Sequence, residues 1–148
     1  MAEFTYNPIQ SIAYGAPAIF NTVIGCPRRY VVHRNESGIF ILSGRVNNRC
    51  MNFARYRVVF NGNIALPEGA TVGPISVSLA INGEPLPTSN AIVTPAAVDQ
   101  YFNVTSVATI DVPIGCCFNV SLENTSLGET INPTINMQNA NLVITRTP

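Results

Sequence analysis

The sequence has no lysine, no tryptophan and a single histidine, and only 11% of its 148 residues are charged, against about a quarter in an ordinary globular chain. All eight basic residues are arginine and eight acids balance them, so the formal net charge is zero. A chain so balanced lacks the positive field on which nucleic-acid binding rests. Gly, Pro or Asn cuts every apolar stretch short of the 18 or so residues a membrane helix requires. The start, Met1-Ala2-Glu3-Phe4-Thr5-Tyr6-Asn7-Pro8, has no basic region leading into an apolar one, so an ordinary secretory signal is not expected.

With 47% apolar residues the chain is not disordered, and its length suits one domain. Its polar surface comes mostly from amides and hydroxyls, with seventeen asparagines among them. Copies of such a chain repel one another weakly, which predicts a surface meant to be buried in an assembly. The few charges are segregated. Residues 28–57 carry seven arginines against Glu36, a net of +6, whereas residues 58–148 carry Arg146 against six acids, a net of −5. These side chains either pair locally on strand faces or register contacts between copies or with an acidic scaffold. On the second reading Arg28, Arg29, Arg34, Arg55 and Arg57 form a basic docking patch.

Period-two alternation runs through the sequence, and helical spacing is nearly absent. Ile75, Val77, Leu79 and Ile81 alternate with small or polar residues and end at the turn signal Asn82-Gly83. The same pattern marks residues 56–60, 102–112, 116–123 and 140–146. Shorter strands are expected near 19–24, 30–33, 38–43, 63–66 and 90–94, with one short helix at 95–100. Between them lie turn clusters rich in Gly, Pro and Asn. Eight to ten such strands predict an all-β, antiparallel jelly-roll β-sandwich over residues 16–148. Residues 1–15 read as an extended N-terminal arm whose Phe4, Tyr6, Ile9 and Ile12 attach to a neighbouring subunit, or else lie on their own domain.

Little in the sequence supports catalysis. The usual base for a Ser or Cys nucleophile would be His33, which sits at the end of a short strand as a structural or surface group. No phosphate-binding loop or close pair of acids appears. Cys26, Cys50, Cys116 and Cys117 match no zinc spacing, so neither a metal nor any other cofactor is expected. Without an export signal they read as reduced thiols, with cross-linking between copies as the alternative. Neighbours on one strand, Cys116 and Cys117 should point to opposite faces, one filling the core. Asn-x-Ser/Thr triplets at Asn35, Asn103, Asn119 and Asn124 look like glycosylation acceptors, but an Asn-rich chain produces about two or three by chance and two of the four fall inside predicted strands, so they are discounted.

Three stretches carry a resemblance: Tyr56-Arg57-Val58-Val59-Phe60, Val72-Gly73-Pro74-Ile75-Ser76-Val77-Ser78-Leu79, and Val112-Pro113-x-Gly115 leading into a strand. With the closing Asn139-Ala140-Asn141-Leu142-Val143-Ile144, they resemble the C-terminal two thirds of the jelly roll shared by tumour necrosis factor and the complement globular head. Nearly end to end, the chain is also similar to short proteins encoded by gut bacteria and their phages. The segments in common are Tyr6-Asn7-Pro8-x-Gln10, Val32-His33-Arg34, Ile92-Val93-Thr94-Pro95-Ala96-Ala97-Val98 and Gly115-Cys116-Cys117.

These resemblances imply a trimer displayed on a particle surface: a non-enzymatic phage virion decoration or head-fibre component. Tyr56, Tyr101, Phe102 and Phe118 would then form the oligomer interface and a capsid or other particle protein would be the partner. No Gly-x-y stalk precedes residue 19, which leaves the arm as the attachment device. The alternatives are a self-assembling subunit of a spore surface or appendage fibre, and a tip domain that binds host glycan.

Overall fold

The structure is a computed structural model that describes residues 1–25, 30–48 and 50–147. Among these residues the strands in chain order are β1 (Ala2–Tyr6), β2 (Gln10–Ile12), β3 (Thr22–Ile24), β4 (Val31–His33), β5 (Phe40–Ser43) and β6 (Phe53–Ala65). They continue with β7 (Ile75–Ile81), β8 (Glu84–Pro85), β9 (Ala91–Val93), β10 (Phe102–Pro113), β11 (Cys117–Asn124) and β12 (Ile135–Thr147). All pairings are antiparallel. One sheet runs β10-β6-β12-β1-β3, with β2 also on β12; the other runs β4-β5-β11-β7-β8, with β9 on β7. The two sheets face each other as a jelly-roll sandwich.

The long strands follow the alternation in the sequence. Tyr56, Val58 and Phe60 of β6 are fully buried while Arg55 and Arg57 face out, and on β10 Val104, Ser106, Ala108, Ile110 and Val112 turn inward. The expected breaks differ. Residues 56–60 and 63–66 belong to one strand, β6, because Asn61-Gly62-Asn63 continues it instead of turning. Gly62 is needed there, since a Cβ would stand 2.7 Å from the ring of buried Phe60. No helix forms at 95–100; Asp99 instead adopts a positive φ of 58°, and the helical turn, a 3-10 one, lies at Pro87–Ser89.

The N-terminal segment is not a free arm. Ala2–Tyr6 lie between β12 and β3, in register with Ile144 through Ala140, and Gln10–Ile12 pair with the start of β12. Phe4 and Ile12 are buried in the chain's own core, and Tyr6 packs against it; of the four attachment residues only Ile9 is exposed. The separate arm 1–15 is thus corrected to two strands of the sandwich. β1 and β2 pair in tandem along the side of β12 opposite β6, and so satisfy backbone groups that an arm would leave open.

Aromatic rings join the sheets. Phe4 of β1 meets Phe40 of β5 edge-on at 4.6 Å, Phe20 meets Phe40 at 5.5 Å, and His33 stacks on Phe40 at 4.4 Å. Each such pair adds about 0.5–1.5 kcal/mol beyond its buried area. Nε2 of His33 donates to the Ser37 carbonyl at 2.8 Å, while the buried Nδ1 has no partner. The histidine is a packing residue.

Candidate functional site

Two outward features stand out: the outer face of the first sheet and the end of the sandwich where β5, β10 and β12 finish. Register places the outward residues of the first sheet in rows. Val107, Val59, Val143, Glu3 and Ile24 form the central row. Thr109, Arg57 and Thr145 lie on one side of it. On the other are Thr105, Asn61, Asn141, Thr5 and Thr22. Amides knit the polar row together: Asn103 Nδ2 donates to Asn61 Oδ1 at 2.6 Å and to Asn63 at 3.2 Å, and Asn141 donates to Glu3 at 2.6 Å. Among the described residues the ionisable groups on this face are Glu3, Asp111, Arg55 and Arg57, two of each sign. Arg55 grips Asp111 with two bonds of 2.7 and 2.8 Å, and this holds the Asp111 carboxyl below its ordinary value. Among the described residues the face is therefore nearly neutral and apolar along its middle.

At the sandwich end, Tyr30, Arg45, Val46, Asn47, Ile114 and Gly115 line a cleft of about 340 Å³. Gly44 lets the two sides meet: its N–H donates to the Cys116 carbonyl at 2.8 Å, and a Cβ there would collide with the Pro113 carbonyl. Behind the wall the Arg146 guanidinium lies 4.0 Å over the Tyr30 ring and donates to the Arg45 carbonyl, while its buried Nη1 has no partner. The Tyr56 hydroxyl donates toward the carbonyls of Ser43 at 2.6 Å and Tyr30 at 3.2 Å; burial pushes the phenol's pKa up. Among the described residues no acid lines the cleft.

The expected interface residues separate here. Tyr56 is fully buried in the chain's own core and Phe118 packs against it, so Tyr56 is not a contact for a partner. An inward parity on β6 that suits an intersubunit core equally suits an intramolecular one, and the second sheet occupies it. Tyr101 is half-buried and Phe102 is 40% exposed, both at the far end of the sandwich. Arg28 and Arg29 lie outside the described residues. The other patch residues do not gather: Arg34 is exposed in the turn after β4, Arg55 is paired, and Arg57 stands on the outer face of the opposite sheet. Cys26 lies outside the described residues; Cys50, Cys116 and Cys117 are free and exposed. Neither of the adjacent cysteines fills the core, because Cys116 still belongs to the turn and β11 begins only at Cys117. Among the described residues no cluster of His, Cys, Asp and Glu is placed to hold a metal ion, and no helix is long and apolar enough to cross a membrane.

Sequence reasoning missed two groups. Arg146 shares the inward parity of Leu142 and Ile144, which could have revealed it. Glu123 faces outward from β11 yet is only 8% exposed, and burial raises its carboxyl pKa against a single 3.2 Å bond from Ser121. Nothing in local spacing signals that burial.

No family model matches the chain and no curated protein matches its sequence. Among solved structures it is similar to the globular domain of zebrafish complement 1qA protein, with a TM-score of 0.59 and 14% identity over 96% of this chain and 94% of that one. It is less similar to murine APRIL, with a TM-score of 0.47 and 13% identity over 93% and 98% of the two chains. The C-terminal domain of EclA, described as a sugar-binding protein, scores 0.38 with 13% identity over 77% and 81%. The first likeness establishes the fold, and the chain has the two-sheet jelly-roll architecture of the complement globular head.

Proposed function

We propose that this chain is a non-enzymatic structural protein that forms a homotrimer through the outer face of its first sheet and decorates a particle surface. A phage virion is the setting that its sequence resemblance favours. The observation that carries this reading is the row Val107–Val59–Val143, set among Thr and Asn side chains on a face with no net charge. Apolar surface left in water costs about 25 cal/mol per Å², and burying it against a second copy recovers that free energy. The five strands are about 4.8 Å apart and up to 13 residues long, which gives a face on the order of the ~800 Å² that each partner of a stable interface buries. Charges interfere little, because Arg55 and Asp111 neutralise each other and Glu3 is held by Asn141.

Sedimentation of the purified chain tests this. At micromolar concentration in high salt the expected mass of the lateral unit is three times the 15.9 kDa of one chain. Val59→Asp combined with Val143→Asp should abolish this three-chain unit while the melting temperature stays within a few degrees of the parent, since both side chains lie outside the core. A parent that sediments as a monomer, or a trimer that survives both aspartates, would overturn the assignment.

A further inference from the structure

The two ends of the sandwich differ in chemistry. At one end lies the cleft with Arg45, Val46 and Ile114 in its lining and Arg146 behind it. At the other end three loops, 66–74, 94–101 and 125–134, carry Glu68, Asp99 and Glu129 and no arginine. The last of these loops is prominent. Leu127 is 67% exposed and Ile131 82%, with exposed Glu129 between them. It is also held in shape: Gly128 N–H donates to Asn132 Oδ1 at 3.2 Å, and Asn124 Nδ2 donates to the Pro133 carbonyl at 2.9 Å. β12 leaves this loop at Ile135 and reaches the cleft end at Arg146, eleven residues or roughly 35 Å away.

From this juxtaposition we infer that the 127–131 loop of one copy docks in the Arg45 cleft of the next, so that subunits join end to end. Leu127 and Ile131 meet the apolar lining at Val46 and Ile114, and Glu129 meets Arg45. The loop and the cleft are different surfaces at opposite ends, so the contact is head-to-tail and propagates into strings instead of closing as a twofold dimer. This contact is separate from the lateral face of the first sheet and goes beyond it. Complementary exposed charges register the contact, and salt weakens it because screening acts within about 10 Å at 0.1 M.

The test is sedimentation velocity with electron microscopy of the full chain, over a salt series and with reductant present throughout so that cysteine cross-links do not contribute. Strings that shorten as salt rises are expected. Leu127→Asp with Ile131→Asp should raise the half-association concentration roughly 10–100-fold, the range for losing anchor side chains. Glu129→Arg should weaken association, and adding Arg45→Glu should restore it. All four positions are exposed, and melting curves confirm that each variant folds. The inference falls if the parent forms nothing beyond its lateral oligomer, if strings persist in the Leu127/Ile131 variant, or if the charge exchange fails to rescue. The Val59/Val143 variant separates the two interfaces: strings of single subunits should remain when the lateral face is disabled.

Discussion

The two sheets treat their outward faces differently. On the first, the outward side chains of β6 and β10 stand in solvent or are half-buried, as rows of Val, Thr and Asn. On the second, the outward residues of β7, Ser76, Ser78 and Ala80, are as buried as the core residues between them. Ser76 and Ser78 bond Thr125 at 2.9 and 3.3 Å, and Ser78 donates to Asn90 at 2.8 Å. Glu123, in register with Ser78, is buried in the same layer. The β7 side of the second sheet is thus closed by small hydroxyls and loops, although Val32 and Ile41 at its β4–β5 edge stay exposed, whereas the first sheet leaves its outer face open. A face covered from within has little left to offer another chain. The open one is where assembly has room to act.

The sharpest way to break this contrast is to place the same large side chain on both faces. Ser78→Leu should cost about 1–3 kcal/mol by overpacking a closed layer, and Thr109→Leu on the open face should stay within about 0.5 kcal/mol, as urea unfolding midpoints would show. Equal effects at the two positions would erase the distinction.

Glu123 gives a smaller, pH-dependent effect. Its pKa is raised in the folded state, so the native protein binds more protons than the unfolded chain between the unfolded and folded values. Stability therefore falls as pH rises through that window and stays lower above it. Glu123→Gln removes the buried charge and keeps an acceptor for Ser121; it should raise stability at neutral pH and flatten this pH dependence. The expectation fails if thermal melts at neutral and acidic pH show no gain or an unchanged slope. Smallest of all is Arg55→Met on the open face, where the ion pair with Asp111 stands in solvent; its melting temperature should move by no more than a few degrees.

Much of the fold was legible because alternation over seven or more residues leaves few other readings, as in Ile75–Ile81 and the long run of β10. The N-terminal strands were not. Five and three residues separated by Pro8 look like a tail when their partner, β12, lies at the other end of the sequence, and pairing at that distance leaves no local trace. Gly62 misled for a related reason, since a glycine after asparagine signals a turn unless a ring such as Phe60 requires its missing side chain. The candidate surfaces were legible only in part. The parity of β6, β10 and β12 separates Val59, Val107 and Val143 from the core, but whether the inward aromatics meet a partner subunit or a second sheet depends on tertiary packing. The cleft draws on residues near 30, 44–47 and 114–115, which only the folded chain brings together.

The pairing of Ala2 with Ile144 bears on how the molecule is made. β12 is central to the first sheet and follows all the other strands in the sequence, so until it emerges from the ribosome β1 and β6 have no strand between them and Phe4, Val58 and Phe60 lack their enclosure. Closing contacts 142 residues apart is slow, with folding times on the order of milliseconds to seconds for such topologies. The outer face of the first sheet is therefore incomplete until β12 is in place, whatever surface the rest of the chain has already formed.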